Sequence, residues 1–290
     1  MKAILADRVV AQLGEGPALF PDSSLNWVDI LQGDVWRRVG QEPSERVARF
    51  DHEVSKVLPW RDGYLVCGRE SVLFRDGGGR LVGETPLPSE RSNLRCSDAT
   101  VAPDGTVFLG IIDRDLSPGR SSLVRLRREG GFDVVVSGAD LSNGIALHPD
   151  GESLLWIDSP SQAIWRWEWS GSSAQRYRFA EVPAESGVPD GLCVDDSGRS
   201  YVALWGGGGV LVFDSSGSPE GRIEVGAPHV TSCAFDAQDD LLITTAAVAL
   251  NPSELEEYPG AGCLWRVPQS ELGRRGLESQ VATITPAREG

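Results

Sequence analysis

The sequence predicts an all-β protein, a six-bladed β-propeller formed as a single domain by residues 1–290. Short strands rich in Val, Trp and Arg recur six times at intervals of about 37 to 53 residues, which is typical of propeller blades. Turns with Pro, Asp and Gly separate apolar strands, and their Asp-Gly and Ser-Gly pairs supply the positive φ of a hairpin. No helical periodicity extends beyond a turn or two. The recurring strands are residues 34–37, 71–75, 122–125, 163–166, 209–212 and 262–266.

A single four-stranded blade cannot bury both of its faces, so neighbouring blades must cover each other around a ring. We expect the ring to close where an N-terminal strand, about residues 6–12, joins a sheet with C-terminal strands at about 264–267 and 280–284. Residues 253–257 and 269–272 are predicted as single helical turns. No segment has the composition of an interdomain linker, which favours one domain.

Composition narrows the classes of partner. The formal net charge of −15 and the pI near 4.7 disfavour binding to nucleic acid or to anionic membranes, because both would repel the chain. No run approaches the roughly 18 apolar residues of a membrane span, and the N-terminal residues lack a sustained apolar segment. The five cysteines form no Cys-x-x-Cys pair and are predicted to be reduced and buried. We expect a cytoplasmic protein, a monomer or weak homo-oligomer, with a small-molecule substrate.

Three polar residues occupy matching positions in three of the repeats. Glu15, Asn143 and Asp190 each stand immediately before a glycine and next to an apolar strand. In a propeller the innermost strands line a central tunnel, so residues at matching strand ends converge on its axis. Side-chain oxygens are the ligands that hard divalent cations prefer, and three of them leave positions open for water or substrate. The sequence therefore predicts a metal site in the central tunnel.

The same stretches resemble the regucalcin/gluconolactonase family, also called the senescence marker protein family. The resemblance rests on residues 13–17 with 27–30, 142–144 with 148–151, 189–192, 202–208 and 230–235, and it spans nearly the whole chain in the expected order. It implies a six-bladed propeller with one divalent cation, often Ca²⁺ or Zn²⁺ with Mg²⁺ or Mn²⁺ also possible, and hydrolysis of sugar lactones. By resemblance, Glu15, Asn143 and Asp190 match the metal ligands, and Asp190 also matches the general base.

A second family motif, Arg-x-Asn-Asp-Gly, binds substrate and corresponds to residues 95–99 of this chain. Arg95 and Asp98 are retained, whereas Ser97 replaces the Asn and Ala99 replaces the Gly. A hydroxyl is shorter than an amide and donates one proton instead of two, so Ser97 predicts a roomier pocket with different hydrogen bonding toward a sugar. Asp115 falls near a substrate-contacting acid of some members, with Asp113 as the alternative in the same loop.

The leading hypothesis is a metal-dependent hydrolase of a lactone or related cyclic ester. The metal would polarise the carbonyl, Asp190 would activate water and Arg95 would orient the substrate. Two alternatives stay open: a metal-assisted reaction on another electrophile, and a non-catalytic Ca²⁺-binding regulatory protein. None of the three histidines has a metal-ligand spacing, and His229 is the one that could approach the tunnel mouth.

Overall fold

Six antiparallel sheets of four strands each make up the protein, in a computed structural model that describes residues 1–88, 93–169 and 175–286. The strands are β1 (Ile4–Asp7), β2 (Gly14–Leu19), β3 (Ser24–Asp29), β4 (Asp34–Val39), β5 (Glu45–Arg49), β6 (Val54–Trp60), β7 (Gly63–Gly68), β8 (Ser71–Arg75), β9 (Leu81–Pro86), β10 (Leu94–Val101), β11 (Val107–Asp113), β12 (Ser121–Leu126), β13 (Phe132–Ala139), β14 (Ser142–Leu147), β15 (Ser153–Asp158), β16 (Ala163–Glu168), β17 (Gln175–Glu181), β18 (Val188–Val194), β19 (Ser200–Trp205), β20 (Gly209–Phe213), β21 (Pro219–Glu224), β22 (Val230–Phe235), β23 (Leu241–Thr245) and β24 (Leu264–Val267).

The sheets are six blades of one ring. Blades 1 to 5 are runs of four consecutive strands that begin with β2, β6, β10, β14 and β18, and blade 6 combines β22, β23 and β24 with β1. The first strand of every blade packs against the first strand of the next, and the series returns from β22 to β2. The predicted six-bladed propeller is therefore confirmed, and the six recurring strands of the sequence are the third strands of the blades.

Ring closure was predicted only in part. β1 pairs antiparallel with β24, so the N-terminal strand completes the last blade as expected, although it spans Ile4–Asp7 instead of residues 6–12. The prediction that residues 280–284 join this sheet was wrong. That segment instead forms an isolated bridge between Ala282 and Trp60 of blade 2, and the Trp60 indole N–H donates to the Ile284 carbonyl over 2.7 Å.

The C-terminal residues 273–285 form a strap, because they run along one end of the ring and touch several blades in turn. The strap bonds to blade 5 through Asp195, to blade 1 through the Leu19 carbonyl and to blade 3 through the Gly105 carbonyl. Residues 277–280 of the strap also line a small cavity of about 150 Å³ at that end of the tunnel, together with inner-strand residues. The strap thus covers the tunnel end that lies opposite the strand ends carrying Glu15 and Asp190.

Burial follows position within the blade. The middle strands are almost wholly buried, as in β11, while the outermost strands such as β5 are mostly exposed and carry charged residues. The cores lie between blades, and their largest fully buried side chains include Trp27, Trp156 and Tyr201. Burying one such side chain contributes about 1.5–3 kcal/mol to stability. Because these side chains are buried between blades, a single blade would lose this contribution without its neighbours.

The two predicted helical turns are the short helices α1 (Pro252–Glu257) and α2 (Gln269–Leu272), and Asn251 caps α1 through a capping box. All five cysteines are free. Within the described ranges no helix is long and apolar enough to span a membrane. The cytoplasmic location and the monomeric or weakly oligomeric state stay predictions.

Candidate active site in the central tunnel

A break in pairing register at the same level of every innermost strand forms the site. The register between first and second strand shifts at Glu15/Ala18, Val54/Lys56, Cys96/Ala99, Ser142/Ile145, Pro189/Leu192 and Val230/Ser232. A β-bulge bends the strand and re-aims a side chain. Here the bulged segments carry Glu15, Asn143 and Asp190, which come from blades 1, 4 and 5, together with Ser97 and Asp98 of blade 3.

The glycine after each predicted ligand allows neighbouring blades to approach closely. A Cβ on Gly144 would lie 2.6 Å from the Asp190 carbonyl oxygen, and one on Gly191 would lie 2.8 Å from the Thr231 carbonyl oxygen. Gly144 and Gly191 have no positive φ, so space and not a turn requires them, whereas Gly16 has a φ of 55° and a Cβ there would also clash with the Ser55 carbonyl oxygen. The repeated polar-residue–glycine pattern is therefore a device that places one blade's side chain beside the next blade's backbone.

One cavity of about 370 Å³ collects the predicted site residues. Six of the seven predicted positions line it, and Asp115 does not. The polar lining residues are Glu15, Ser55, Arg95, Ser97, Asp98, Asn143, Ser159 and Asp190, and the apolar ones are Leu13, Ile30, Ile112, Leu116, Leu141, Val188, Pro189 and Trp205. The cavity is within the size range of small-molecule sites.

Asn143 and Asp190 are in direct contact across two blades. The Asn143 amide Nδ2 donates to Asp190 Oδ1 over 2.6 Å and lies 3.2 Å from Ser159 Oγ. Asp190 is half-buried and lines the cavity, so its exposed part faces the cavity. Two of the three predicted ligands thus meet without any bridging atom.

The two acidic side chains are held at raised pKa values. Burial, and then the negative charge of Asp98, raise the pKa of Glu15 to about 7 from its ordinary 4.5. Burial and then the charge of Glu15 raise the pKa of Asp190 well above its usual range. The Gly16 N–H donates to Glu15 over 2.6 Å, which favours the ionised form but does not outweigh burial. Two carboxyl groups that repel each other inside a cavity are chemically suited to share a cation.

The donor set fits a divalent cation by its chemistry. It offers two carboxylates and one amide oxygen, which are ligands that Ca²⁺, Mg²⁺ and Mn²⁺ accept. Among the residues with described positions, no three His, Cys, Asp or Glu side chains cluster closely enough to hold a metal ion. That finding leaves the predicted set in place, because only two of its members are acids.

Asp98 differs from the other acids because both of its oxygens are engaged. Oδ1 lies 2.8 Å from Lys56 Nζ and accepts the Ala99 N–H, while Oδ2 accepts the Ile145 N–H over 2.9 Å. The carboxylate therefore ties blades 2, 3 and 4 together. Lys56 is buried and lines the cavity of about 150 Å³ beside the strap. Asp98 lines the cavity of about 370 Å³ that holds the predicted site residues. The ion pair consequently separates the two parts of the tunnel.

Sequence reasoning missed Lys56. The signal was available as a single lysine inside the otherwise largely apolar run of residues 54–60, since buried lysines almost always have a charged partner. What could not be read from the sequence was that its partner would be Asp98, 42 residues further along the chain and in another blade.

Arg95 and Ser97 both line the cavity. Arg95 Nη1 donates to the Cys96 carbonyl over 2.9 Å. Burial lowers the pKa of Arg95, and the negative charges of Glu53, Glu15 and Asp190 act to raise it. The Ser97 hydroxyl donates to the Ser142 carbonyl of the next blade over 2.6 Å. Its one proton is therefore already used inside the protein.

The loop after β11 presents a different residue from the one predicted. Asp115 is exposed, and Leu116 represents this loop in the cavity lining. The alternative, Asp113, is buried and lies 2.6 Å from Arg120, and its Oδ1 accepts the Asp115 N–H over 3.2 Å. The acid at position 113 organises the loop, and a leucine faces the site.

Trp205 and His229 form an aromatic pair beside the cavity that the sequence pattern did not assign to the site. Their rings stack with centroids 4.0 Å apart and an angle of 11° between planes, and Trp205 lines the cavity. Burial lowers the pKa of His229. His229 thus supports the tryptophan from behind and does not itself line the cavity.

Comparison with known proteins identifies the family of the chain. The sequence profile described as "SMP-30/Gluconolactonase/LRE-like region" matches residues 13–247. The pentonolactonase XacC of Haloferax volcanii is 33% identical over 285 residues, covering 93% of this chain and 95% of that protein.

Solved structures show the same fold. A regucalcin from Agrobacterium tumefaciens, described as a calcium-binding protein, superposes with a TM-score of 0.88 at 22% identity over 97% of each chain. A gluconolactonase from Xanthomonas campestris superposes with a TM-score of 0.75 at 25% identity over 92% of this chain and 89% of that one.

Proposed function

Because the chain belongs to the SMP-30/gluconolactonase/LRE-like family, we propose that it is a divalent-metal-dependent lactonase that opens a cyclic ester to a hydroxy acid. The observation that carries the proposal is the convergence of Glu15, Asn143 and Asp190 from three blades on one largely apolar cavity. Relatives named as lactonases, among them the Haloferax pentonolactonase, support this class of reaction.

Glu15, Asn143 and Asp190 would hold the cation. Binding requires the ionised forms of both acids, and Asn143 must present its Oδ1 where its Nδ2 now donates to Asp190. A bound divalent ion supplies Lewis acidity, which polarises an ester carbonyl and stabilises the negative charge that develops on its oxygen. The all-oxygen donor set suits Ca²⁺, Mg²⁺ and Mn²⁺, and Zn²⁺ also accepts carboxylates.

The other steps belong to the protein's own groups. Asp190 would take the proton of the attacking water, a role favoured by the rise of its pKa above the usual range through burial. Arg95, whose guanidinium reaches the same cavity, would orient the substrate through its remaining N–H groups. Asp98 is fully engaged with Lys56 and two backbone N–H groups, so we assign it the task of holding blades 2 to 4 in register around the site.

The test is acid release from lactones by protein that has first been stripped with EDTA. Hydrolysis of the ring ester yields a carboxylic acid, so a pH indicator follows turnover directly. We expect no release without metal, and release after addition of Ca²⁺, Zn²⁺, Mg²⁺ or Mn²⁺, with affinities measured separately by calorimetry. Metal binding without acid release from any lactone would identify a non-catalytic binding protein or an enzyme for another electrophile, and absence of metal binding would refute the proposed site.

A further inference from the structure

The walls of the cavity are apolar at the level just outside the predicted ligands. Side chains two positions apart on a strand share a face, and Leu13, Leu141 and Val188 stand two positions before Glu15, Asn143 and Asp190. All six residues line the same cavity. A substrate whose carbonyl sits at the ligands would therefore place its ring substituents among leucine, valine and tryptophan side chains.

Among the described residues, most of the polar groups that could bond to sugar hydroxyls already have a partner within the protein. The Ser97 hydroxyl donates to the Ser142 carbonyl, and the Ser55 hydroxyl donates to the Cys67 carbonyl over 3.3 Å. Asp98 has a partner on each oxygen. Outside the proposed metal ligands, the described cavity residues Arg95 and Ser159 offer uncommitted donors, several from the guanidinium and one from the hydroxyl. A polyhydroxylated lactone would therefore find few partners for its hydroxyls.

Leu116 is held in a strained conformation at this cavity. Its φ is 53°, in the left-handed region that leucine rarely adopts. The loop enforces this shape because the Leu116 N–H donates to the Asp113 carbonyl over 2.9 Å. Leu116 is 56% exposed, so the burial of its side chain does little to offset the cost of this conformation. Strain that persists beside a cavity points to a role in binding.

We infer that this enzyme prefers lactones whose ring carries an apolar substituent over polyhydroxylated sugar lactones, and that Leu116 is a specificity-determining residue. The inference rests on the proposed lactonase function. Water adds to the ester carbonyl, the acyl C–O bond breaks and the product is a hydroxy acid. At neutral pH this acid ionises to its carboxylate and releases one proton. The apolar substituent takes no part in this step and contributes only binding.

The experiment compares kcat/KM for three γ-lactones on metal-loaded protein: unsubstituted γ-butyrolactone, a γ-lactone with a short alkyl chain, and a pentono-1,4-lactone. We expect the alkyl lactone to exceed the hydroxylated one by about tenfold or more, since one methylene in an apolar pocket is worth roughly 10-fold or above. A preference for the hydroxylated lactone would overturn the inference while leaving the lactonase proposal standing. Failure of all three with every metal would overturn both.

The residue assignment is tested with Leu116→Asn, because asparagine tolerates the left-handed region and the loop should keep its shape. The ratio of kcat/KM for the alkyl lactone to that for γ-butyrolactone should fall by about tenfold. The matched control is Leu81→Asn, at a 48% exposed leucine on the outermost strand β9, which should leave the ratio unchanged. An unchanged ratio in Leu116→Asn would refute the assignment.

A second readout does not depend on turnover. Lactams are ring amides that resist hydrolysis, so 2-pyrrolidinone and a 5-alkyl-2-pyrrolidinone can be titrated by calorimetry into EDTA-treated protein. We expect the alkyl lactam to bind about tenfold more tightly and Leu116→Asn to remove most of that difference. Equal affinities for the two lactams in the wild-type protein would contradict an apolar substituent pocket.

Discussion

Glu15→Gln should stabilise the metal-free protein at neutral pH. The pKa of Glu15 is raised from 4.5 to about 7 by burial and by Asp98. Between these values the folded state binds a proton that the unfolded state has released, so stability is lost as pH rises from about 4.5 to 7. Glutamine cannot ionise, its carbonyl oxygen can still accept the Gly16 N–H, and it therefore avoids this loss.

The size of the effect follows from the shift. A shift of about 2.5 pH units at about 1.36 kcal/mol per unit corresponds to about 3 kcal/mol of unfolding free energy above pH 7. At about 2–4 °C per kcal/mol for a chain of this size, the variant should melt several degrees above wild type at pH 8. Below pH 4.5 both side chains are neutral and the difference should vanish.

The assay is thermal or urea unfolding in EDTA at pH 4.5, 6 and 8. Glu42→Gln is the matched control, since Glu42 is exposed in the turn between β4 and β5. Added Ca²⁺ at pH 8 should raise the wild-type melting temperature more than that of Glu15→Gln, because the cation compensates the charge that the variant lacks. Equal stability of Glu15→Gln and wild type in EDTA at pH 8 would refute the account of Glu15 as a buried, uncompensated acid.

Three further substitutions test the site. Asp190→Asn should weaken metal binding by about 10- to 100-fold. At saturating metal its turnover should still be lower than that of wild type by about 10²- to 10⁴-fold, whereas Glu15→Gln should regain much more of the wild-type turnover. Full recovery of turnover by Asp190→Asn would show that Asp190 is only a metal ligand. Arg95→Ala should leave the calorimetric metal affinity nearly unchanged and raise KM or lower kcat, and a large loss of metal affinity would contradict its role in orienting substrate. Gly144→Ala should lower the unfolding free energy by about 1–3 kcal/mol, because its Cβ would press on the Asp190 carbonyl. Gly221→Ala is the control and should lower it far less, since a Cβ there meets nothing within 4 Å. Equal losses in denaturant titrations would refute the spatial argument.

The fold could be predicted from the sequence because a propeller repeats its own pattern. The third strand of each blade carries a recognisable Val, Trp and Arg composition, so six copies indicate six blades without knowledge of any contact. Residues 280–284 misled the same reasoning, since an alternating apolar segment resembles a blade strand whether it pairs in a sheet or lies across the ring. Contacts with blade 2 decide between the two, because the Trp60 indole N–H donates to the Ile284 carbonyl and the Ala282 N–H donates to the Pro59 carbonyl.

Within the site, predictability depended on whether the chemistry lay in a local pattern. Glu15, Asn143 and Asp190 each precede a glycine, so their equivalence is visible in three short stretches. Lys56 has no such repeat, and its pairing with Asp98 depends on how two blades face each other. Leu116 was not predicted as a site residue because the neighbouring Asp115 fitted the expected chemistry. The backbone dihedral angles of the loop, which the sequence does not show, bring Leu116 and not Asp115 to the cavity.

The pairing of β1 with β24 has a consequence for how the chain is made. The last blade cannot add β1 (Ile4–Asp7) as its outer strand until residues 264–267 have left the ribosome. Closing a contact across some 260 residues is slow, because the loop entropy is lost before the contact forms. The strap follows later still, since it needs blades 1, 2, 3 and 5 in place. β1 thus precedes its pairing strand by some 260 residues of synthesis.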